Sequence, residues 1–269
     1  MKNPIKEFYK NSDNKNSTLI VYVILRFLVI VSMILQIFHG NFANVFLCIL
    51  TLILFTIPYF INKTFKIALP NTLEIIIFLF IFSAEILGEI QNFYSAFIHF
   101  DTILHTINGF LCAAIGFSLI DILNQNEKFH MKMSPIFVAL VAFCFSMTIG
   151  VLWEFIEFGS DNFFETDMQK DRIVQSFSSV KLNEDGKNKV VKFNSIDHTT
   201  IYYYDNDKNL IEYNVRGGYL DLGLIDTMKD LLVNFIGAIV FSIIGLLYIK
   251  NRDGYKFAEN FIPKLKKST

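Results

Sequence analysis

DTMKDLLVNFIGAIVFSIIGLLYI, at residues 226–249, is an apolar run that opens with polar side chains. Its length meets the roughly 20 residues that an α-helix needs to cross about 30 Å of hydrocarbon. Asp226, Asp230 and Asn234 recur every fourth residue, so a helix presents them on one face. Carboxylates are costly inside a bilayer and mark functional sites there. The segment therefore predicts a membrane-spanning helix with a polar site near one end.

Similar apolar runs occur along the rest of the chain. Of its 269 residues, 53% are hydrophobic and 18% are charged, whereas soluble proteins are about 25% charged. The other predicted spans are residues 18–38, 42–61, 72–91, 101–123 and 134–158. We therefore predict an all-α fold, a polytopic membrane bundle of about six transmembrane helices.

The placement of lysine and arginine predicts the orientation of this bundle. Basic residues lie before the first span, in the second and fourth connections and after the last span, whereas the first and third connections contain none. By the positive-inside rule, we expect both termini of this multi-pass protein to be cytoplasmic. We expect the membrane to be the cell membrane. The basic residues are Lys2, Lys6, Lys10, Lys15, Lys63, Lys66, Lys128, Lys132, Lys250, Arg252, Lys256, Lys264, Lys266 and Lys267.

These spans divide the chain into five parts. A cytoplasmic segment (1–17) precedes helices 1–5 (18–158), and a basic cytoplasmic tail (250–269) follows the sixth helix (226–249). The long connection 159–225 is predicted to lie outside. Its runs 190–193, 201–204 and 211–213 are typical of short strands. We expect a small β-rich extracytoplasmic insertion that either caps the site or only decorates it.

Acidic side chains stand at helical spacing in three more spans, on the same predicted side of the membrane. Asp101 and His105 are one turn apart, and so are Glu154 and Glu157. So many carboxylates in a dry layer repel one another, unless a metal ion, protonation or water compensates them. The acidic residues of this layer are Glu85, Glu89, Asp101, Glu154, Glu157, Asp161, Asp226 and Asp230.

The cofactor is not fixed by the sequence, and a divalent metal ion is one of the three ways in which this layer can be compensated. Oxygen ligands with one imidazole suit Mg, Mn, Fe or Zn. The candidate metal ligands are Asp101, His105, Glu154, Glu157, Asp226 and Asp230. The candidate catalytic residues are His105, Glu154, Glu157 and Asp230. The alternative for Asp101 and Asp226 is a solvated residue at a span end, and for His105 a hydrogen bond within the helix packing.

Four short motifs follow one another along the chain. They are HFDTILH (99–105) with NGF (108–110), GVLWEFIE (150–157), DMQ (167–169) and LGLIDTMKDL (222–231). This set resembles the YjdF-like family of uncharacterised bacterial inner-membrane proteins over roughly residues 72–249. The resemblance implies a membrane fold and no activity.

A second, more distant pattern consists of Asp101 with His105, then Glu157, Gln169, Arg172 and Asp230-Asn234-Gly237. It is similar to that of VanZ-like proteins, which are associated with glycopeptide-antibiotic tolerance. The stretch 173–216 is longer than expected in either family.

Three functions stay open. The first is a membrane enzyme, metal-assisted in one version, that acts on a lipid or lipid-linked envelope substrate at the outer leaflet. The second is an ion-coupled transporter or permease, although transport sites usually lie at the midplane between internal repeats, and no repeats are visible. The third is a non-catalytic scaffold or envelope-stress protein, although interhelical polar contacts contribute only about 0.6 kcal/mol on average.

The expected partners are membrane lipids and, for the enzyme, a lipid-linked substrate. A basic patch interleaved with aromatic residues is absent from the sequence, so nucleic acid is not an expected partner. The oligomeric state is not predicted.

Overall fold

The computed structural model describes residues 16–64, 67–125, 133–186 and 188–265. The predicted cytoplasmic segment 1–17 therefore lies almost wholly outside the described residues, and so do Lys66, Lys128, Lys132, Lys266 and Lys267. The chain forms two compact units, the first of residues 1–151 with 230–269 and the second of residues 152–229.

Apolar helices make up most of the first unit. They are α1 (Asn16–Phe38), α2 (Phe42–Leu54), α3 (Ile57–Thr64), α4 (Asn71–Phe82), α5 (Phe93–Ala96), α6 (Phe100–Gln125), and the larger parts of α7 (Pro135–Phe164) and α8 (Leu224–Lys250). A π-helix (Ser83–Ile90) continues α4, and a short 3-10 helix (Lys256–Asn260) follows α8. Strand β1 (Ile67–Ala68) pairs antiparallel with β8 (Lys264–Leu265).

Five helical segments of the described chain are long and apolar enough to cross a membrane. They correspond to five of the six predicted spans and are Ser17–Phe38, Phe42–Thr64, Phe100–Asn124, Pro135–Phe164 and Leu224–Lys250. The sixth, residues 72–91, is divided between α4 and the π-helix. Six continuous spanning α-helices are therefore not confirmed. The apolar pattern of the sequence does not show where the backbone hydrogen bonding changes from the α-helical to the π-helical pattern.

One buried cluster of the first unit lies where α6, α7 and α8 meet, and a second lies around Tyr22, Phe55 and Phe78. Ala113 and Phe117 of α6, Ala142 of α7, and Ala238 and Phe241 of α8 are fully buried in the first cluster. The rings of Phe117 and Phe241 meet edge to face with their centroids 5.9 Å apart. In the most apolar stretch of α6, 50% of the residues are buried, whereas the corresponding share in the other four spans is 22–39%. Helix α6 is therefore the central helix of this unit.

Glycines set the separation of α6 and α8. A Cβ atom on Gly109 would lie 2.1 Å from the backbone oxygen of Asn234, and one on Gly237 would lie 2.1 Å from the backbone oxygen of Thr106. Small residues let membrane helices approach closely in this way. These two positions hold the backbones of α6 and α8 against each other, which fixes the side chains that each helix directs at the other.

An ion pair joins the C-terminal ends of the same two helices. The carboxylate of Asp121, whose side chain is 5% exposed, lies 2.8 Å from Nη2 of Arg252. Arg252 also donates from Nη1 to the hydroxyl of Tyr248 at 3.3 Å. A buried carboxylate needs such a partner, so Arg252 anchors the chain immediately after α8.

The second unit contains short antiparallel strand pairs. They are β2 (Arg172–Val174) with β7 (Tyr219–Asp221), β3 (Phe177–Ser179) with β4 (Val191–Phe193), and β5 (His198–Tyr204) with β6 (Leu210–Arg216). Hydrogen bonds from the backbone and side-chain amide of Asn209 lower the pKa of Asp205 in the turn between β5 and β6. A mostly helical chain with small antiparallel strand pairs is thus confirmed.

Replacing Gly237 by alanine is expected to destabilise the protein by about 1–3 kcal/mol, as overpacking does in other cores. The added methyl group meets backbone atoms of α6, which cannot move aside cheaply. Thermal unfolding in detergent measures the effect. Gly159→Ala is the matched control, because its Cβ would find only one atom, at 4.0 Å, and we expect an unchanged or slightly raised midpoint. Equal midpoints for the two variants would contradict the close approach of the helices.

Replacing Arg252 by methionine is expected to cost about 1–3 kcal/mol, because it removes the guanidinium group that pairs with the buried carboxylate of Asp121. The same unfolding assay applies. Lys256→Met removes the partner of Asp253 from a pair whose side chains are 70% and 96% exposed, so its midpoint should stay close to that of the wild type. An Arg252→Met variant as stable as Lys256→Met would show that the buried pair contributes nothing.

Candidate metal centre

Three side chains from two helices converge in the first unit. Asp101 and His105 lie one turn apart at the start of α6, and Asp230 lies in the second turn of α8. One potential ligand atom from each lies within 4.8 Å of the other two. Oδ1 of Asp101 and Nε2 of His105 are 3.4 Å apart. We call these three residues the triad; no other group of three or more His, Cys, Asp or Glu residues meets this way in the described chain.

The triad is buried on one side and open on the other. Asp230 is 1% exposed, whereas the side chains of His105 and Asp101 are 12% and 21% exposed. Oxygen and imidazole ligands lie about 2.0–2.2 Å from a zinc-type ion in a tetrahedral arrangement, so the donor atoms are about 3.4 Å apart. The donor atoms of the triad, which lie within 4.8 Å of one another, therefore need movements of less than about 1 Å to surround such an ion. Asp101 and His105 are the two members of the triad that an additional ligand would reach from outside.

A pair of amides supports the triad one turn further along both helices. Nδ2 of Asn108 donates to Oδ1 of Asn234 at 3.3 Å, and the thiol of Cys112 donates to Oδ1 of Asn108 at 3.5 Å. Nδ2 of Asn234 also reaches the backbone oxygen of Ser146 on α7 at 3.5 Å. This network joins three helices and fixes the rotation of α6 against α8.

Glycine again makes room for this network. A Cβ atom on Gly150 of α7 would lie 2.6 Å from Nδ2 of Asn234, and the hydroxyl of Ser146 donates to the backbone oxygen of Gly109 at 2.8 Å. Directly after Cys112, the buried residues Ala113, Ala114 and Phe117 begin the apolar core. The polar groups that extend from the triad along this part of α6 therefore lead into a packed apolar cluster.

The other predicted metal ligands, Glu154, Glu157 and Asp226, belong to the second unit. Asp226 is 3% exposed; its Oδ1 accepts from Nη2 of Arg172 and its Oδ2 from the backbone N–H of Lys170, each at 3.0 Å. Asp226 thus has an ion-pair role in this unit, anchoring the residues before β2 to the start of α8. Its predicted part in a metal site stays a prediction.

The two glutamates of α7 are both buried. Glu154 is 4% exposed and Glu157 is 7% exposed. Oε1 of Glu157 accepts a hydrogen bond from Nε1 of Trp153 at 2.7 Å, which fixes the direction of that carboxylate. The catalytic and metal-binding roles predicted for these glutamates stay predictions.

Asp161 organises the turn that follows α7. Its carboxylate accepts hydrogen bonds from the backbone N–H groups of Met168 and Gln169 at 2.6 and 2.8 Å, and from the hydroxyl of Thr166 at 2.7 Å. The side-chain amide of Gln169 in turn donates to the hydroxyl of Thr227 at 2.5 Å. The role of Asp161 here is to cap a turn, which agrees with its position at a span end.

Asp171 lies in an acidic environment beside that turn. Some loss of solvation and the neighbouring carboxylates of Asp167, Asp161 and Asp221 raise the pKa of this exposed residue. Four carboxylates therefore share this region of the second unit. Among the residues that the structure describes, no three of these carboxylates lie close enough together to hold one metal ion.

Sequence reasoning missed the partners of several of these residues. Asn108 and Asn234 were recognisable as polar residues one turn beyond His105 and Asp230, but spacing alone does not pair them. The lone carboxylate of Asp121 inside an apolar run signals a buried cation partner, and Arg252 is the first arginine after the last span. The pairing of Asp226 with Arg172 spans 54 residues and has no local signal.

Comparisons with known proteins agree with this architecture. A family of predicted membrane proteins, DUF2238, matches residues 19–251. An uncharacterized protein of Thermotoga maritima is 28% identical over 104 residues, which cover 39% of this chain and 52% of the relative. The chain thus matches about half the length of that relative. No solved structure matches. The family match covers most of the chain and five of its helical segments can cross a membrane, so this multi-pass membrane protein belongs to the DUF2238 family.

Proposed function

We propose that this protein is a membrane-embedded enzyme that binds a divalent metal ion at Asp101, His105 and Asp230 and acts on a lipid or lipid-linked substrate of the cell envelope. The observation that carries the proposal is the triad itself, with two carboxylates and one imidazole from two helices within 4.8 Å. Two carboxylates this close repel each other strongly in a low-dielectric environment. A divalent cation bound between them would offset that repulsion.

The ligand set and its open side favour a catalytic ion over a structural one. Structural zinc sites use four protein ligands, whereas catalytic sites use three and keep a position for water or substrate. A bound divalent ion polarises a phosphoryl or carbonyl oxygen, or lowers the pKa of a water. Asp230, which is almost fully buried, holds its side of the ion, and the partly exposed Asp101 borders the open position.

The orientation that we propose puts the triad near the outer surface of the cell membrane. The α4 helix and the π-helix together run from Asn71 to Ile90, which at about 1.5 Å per residue is long enough to form a sixth crossing. An even number of crossings leaves both termini on one side, in agreement with the lysines near both ends of the sequence. The positive-inside rule makes that side the cytoplasm.

A site at this depth fits an amphiphilic substrate. Asp101 lies in the first turn of α6 and Asp230 in the second turn of α8, so an ion between them is within reach of lipid headgroups. The similarity of Asp101, His105, Asp230, Asn234 and Gly237 to the VanZ-like pattern supports a substrate from the envelope. A phosphorylated headgroup, with oxygens that bind hard divalent ions, is the chemistry that we expect.

The packing around the amide pair favours an enzyme over a transporter. Beyond Asn108 and Cys112, the buried side chains of Ala113, Phe117 and Phe241 fill the space between the helices. An ion moving inward from the triad would meet this apolar cluster. A substrate that approaches from one side of the membrane and leaves by the same side has no need of such a path.

We expect the purified protein to bind one divalent ion per chain. Asp230→Asn or His105→Ala should weaken that binding by at least about tenfold, because even the loss of a residue that only supports a metal ligand lowers affinity by that factor. Elemental analysis after chelator-free purification, followed by calorimetric titration of the chelated protein with Mn²⁺ and Zn²⁺, measures this. His99→Ala is the matched control, because this exposed histidine is next to the same helix but outside the triad. Binding that survives both triad substitutions would overturn the metal site.

The enzymatic claim is tested on lipids. Protein in nanodiscs is incubated with a total envelope lipid extract and Mn²⁺, and the lipids are analysed by mass spectrometry. We expect a change in one headgroup class that requires metal, persists in His99→Ala and is lost in Asp230→Asn. If no lipid changes, but cation flux into liposomes depends on Asp230, the protein is a transporter and the enzymatic proposal is wrong.

A further inference from the structure

One face of the β5–β6 hairpin is apolar and exposed. Residues that are directly opposite in two paired strands share a face, and the register pairs Ile201 with Tyr213. Tyr203 pairs with Ile211 on the same face. Ile201, Tyr203 and Tyr213 are 42%, 48% and 61% exposed, and none of the four side chains is charged. We call these four residues the apolar face; exposed apolar patches mark interaction sites.

The opposite face of the hairpin is polar. Side chains alternate between the two faces along each strand, so this face receives the even-numbered residues of both strands. Among them are all the His, Asp, Glu, Lys and Arg residues of β5 and β6, which are His198, Glu212 and Arg216. The hairpin therefore separates its charged groups from its apolar side chains, as elements that lie on a membrane surface do.

Only the base of the hairpin is packed within its own unit. Thr199 pairs with Val215 on the same side as the apolar face, and Val215 is 8% exposed. The hydroxyl of Thr199 donates to the backbone oxygen of Gly218 at 3.0 Å. The backbone N–H of Ile196 donates to the oxygen of Gln175 at 2.9 Å. The second unit therefore holds the base of the hairpin and leaves the apolar face beyond it exposed.

A chain of contacts connects this base to the start of α8. Gly218 directly precedes β7, which pairs with β2. Arg172 of β2 lies 3.0 Å from the carboxylate of Asp226 in the first turn of α8. The six residues from Gly218 to Leu224, where α8 begins, span at most about 22 Å. The hairpin is therefore held close to the point where a helix able to cross a membrane begins.

Exposed apolar side chains also occur at the span ends that belong to this unit. Phe163 and Phe164, the last residues of α7, are 83% and 76% exposed, and Leu222 and Leu224 around the start of α8 are 73% and 65% exposed. Both helices are long and apolar enough to cross a membrane, so these side chains lie where a bilayer meets water. Tyrosine is enriched at that level of membrane proteins. A lipid surface is therefore the partner that the apolar face fits.

The tip of the hairpin limits how it can contact lipid. Asp205 and Asp207 lie in the turn between β5 and β6, and the backbone N–H groups of Asp207 and Asn209 donate to Oδ1 of Asp205 at 2.9 and 2.8 Å. Ionised carboxylates are costly inside a bilayer, so the tip stays in water. The hairpin therefore cannot insert end-on and contacts a bilayer only by lying flat on it.

We propose that the β5–β6 hairpin lies flat on the headgroup layer of the leaflet in which α8 begins, with the apolar face against lipid and the polar face toward water. Ile201 and Ile211 bury apolar area against the lipid, and the hydroxyl groups of Tyr203 and Tyr213 stay among the polar headgroups. Because the apolar face is uncharged, the contact needs no anionic lipid and is not weakened by salt. The inference is independent of the metal site.

Spin labels on the full chain test this contact. In a Cys144→Ser background, which removes the exposed thiol and keeps the buried Cys48 and Cys112, Tyr213→Cys carries a nitroxide on the apolar face. Tyr202→Cys is the matched control, because Tyr202 is also a tyrosine, is 62% exposed against 61% for Tyr213, and lies on the polar face. Each variant is reconstituted into nanodiscs of neutral phospholipid with a single chain per disc.

Collisions of the label with oxygen and with a water-soluble nickel chelate report its surroundings. At Tyr213→Cys we expect the nickel collision rate to be at least about threefold lower than at Tyr202→Cys, because a polar complex is excluded from an apolar layer. The oxygen collision rate should be at least as high at Tyr213→Cys as at Tyr202→Cys, because oxygen is apolar and enters lipid. High salt should leave this difference unchanged, because the apolar face is uncharged.

Any of four results would overturn the inference. Equal nickel collision rates at the two sites would show that the apolar face lies in water. Low rates with both reagents at Tyr213→Cys would show that protein rather than lipid covers the label. Protection that appears only in discs with two chains would assign the face to contact between copies. Protection that is lost at high salt would mean that charge, rather than the apolar face, holds the hairpin on the membrane.

Discussion

The close approach of α6 and α8 is the constraint on which the candidate site depends. Gly109 and Gly237 leave each backbone in contact with the other, at positions where even one methyl group would meet a carbonyl oxygen at 2.1 Å. Because the helices are this close, the amide of Asn108 reaches Asn234, and one turn earlier Asp101 and His105 reach Asp230. The small residues therefore determine the chemistry, although they carry no functional group themselves.

Buried carboxylates in this protein receive different partners. Asp121 pairs with Arg252 at 2.8 Å, and Asp226 pairs with Arg172 at 3.0 Å. Each of these acids therefore lies beside a guanidinium group, which is permanently charged and well suited to carboxylates. Asp230 lies within 4.8 Å of a second carboxylate and an imidazole, and it is the buried acid that we assign to a metal.

Much of the architecture follows from sequence, because long apolar runs and lysine placement have direct physical consequences in a bilayer. The spans around α6, α7 and α8, the strands at β4, β5 and β6, and the pairing of Asp101 with His105 one turn apart were all readable in this way. The π-helix after Phe82 was not, because hydrogen-bond register inside an apolar helix leaves no trace in hydrophobic periodicity. The partners of Asp226 and Asp121 were also missed, since contacts over 54 and 131 residues depend on tertiary packing.

The most direct test of the metal centre is pulsed electron paramagnetic resonance of Mn²⁺ bound to the full chain in nanodiscs. With ¹⁵N-labelled histidine, the account predicts hyperfine coupling of the ion to one imidazole nitrogen, lost in His105→Ala and retained in His99→Ala. A spectrum of fully hydrated Mn²⁺ in the wild-type protein would contradict it, as would a nitrogen coupling that persists without His105.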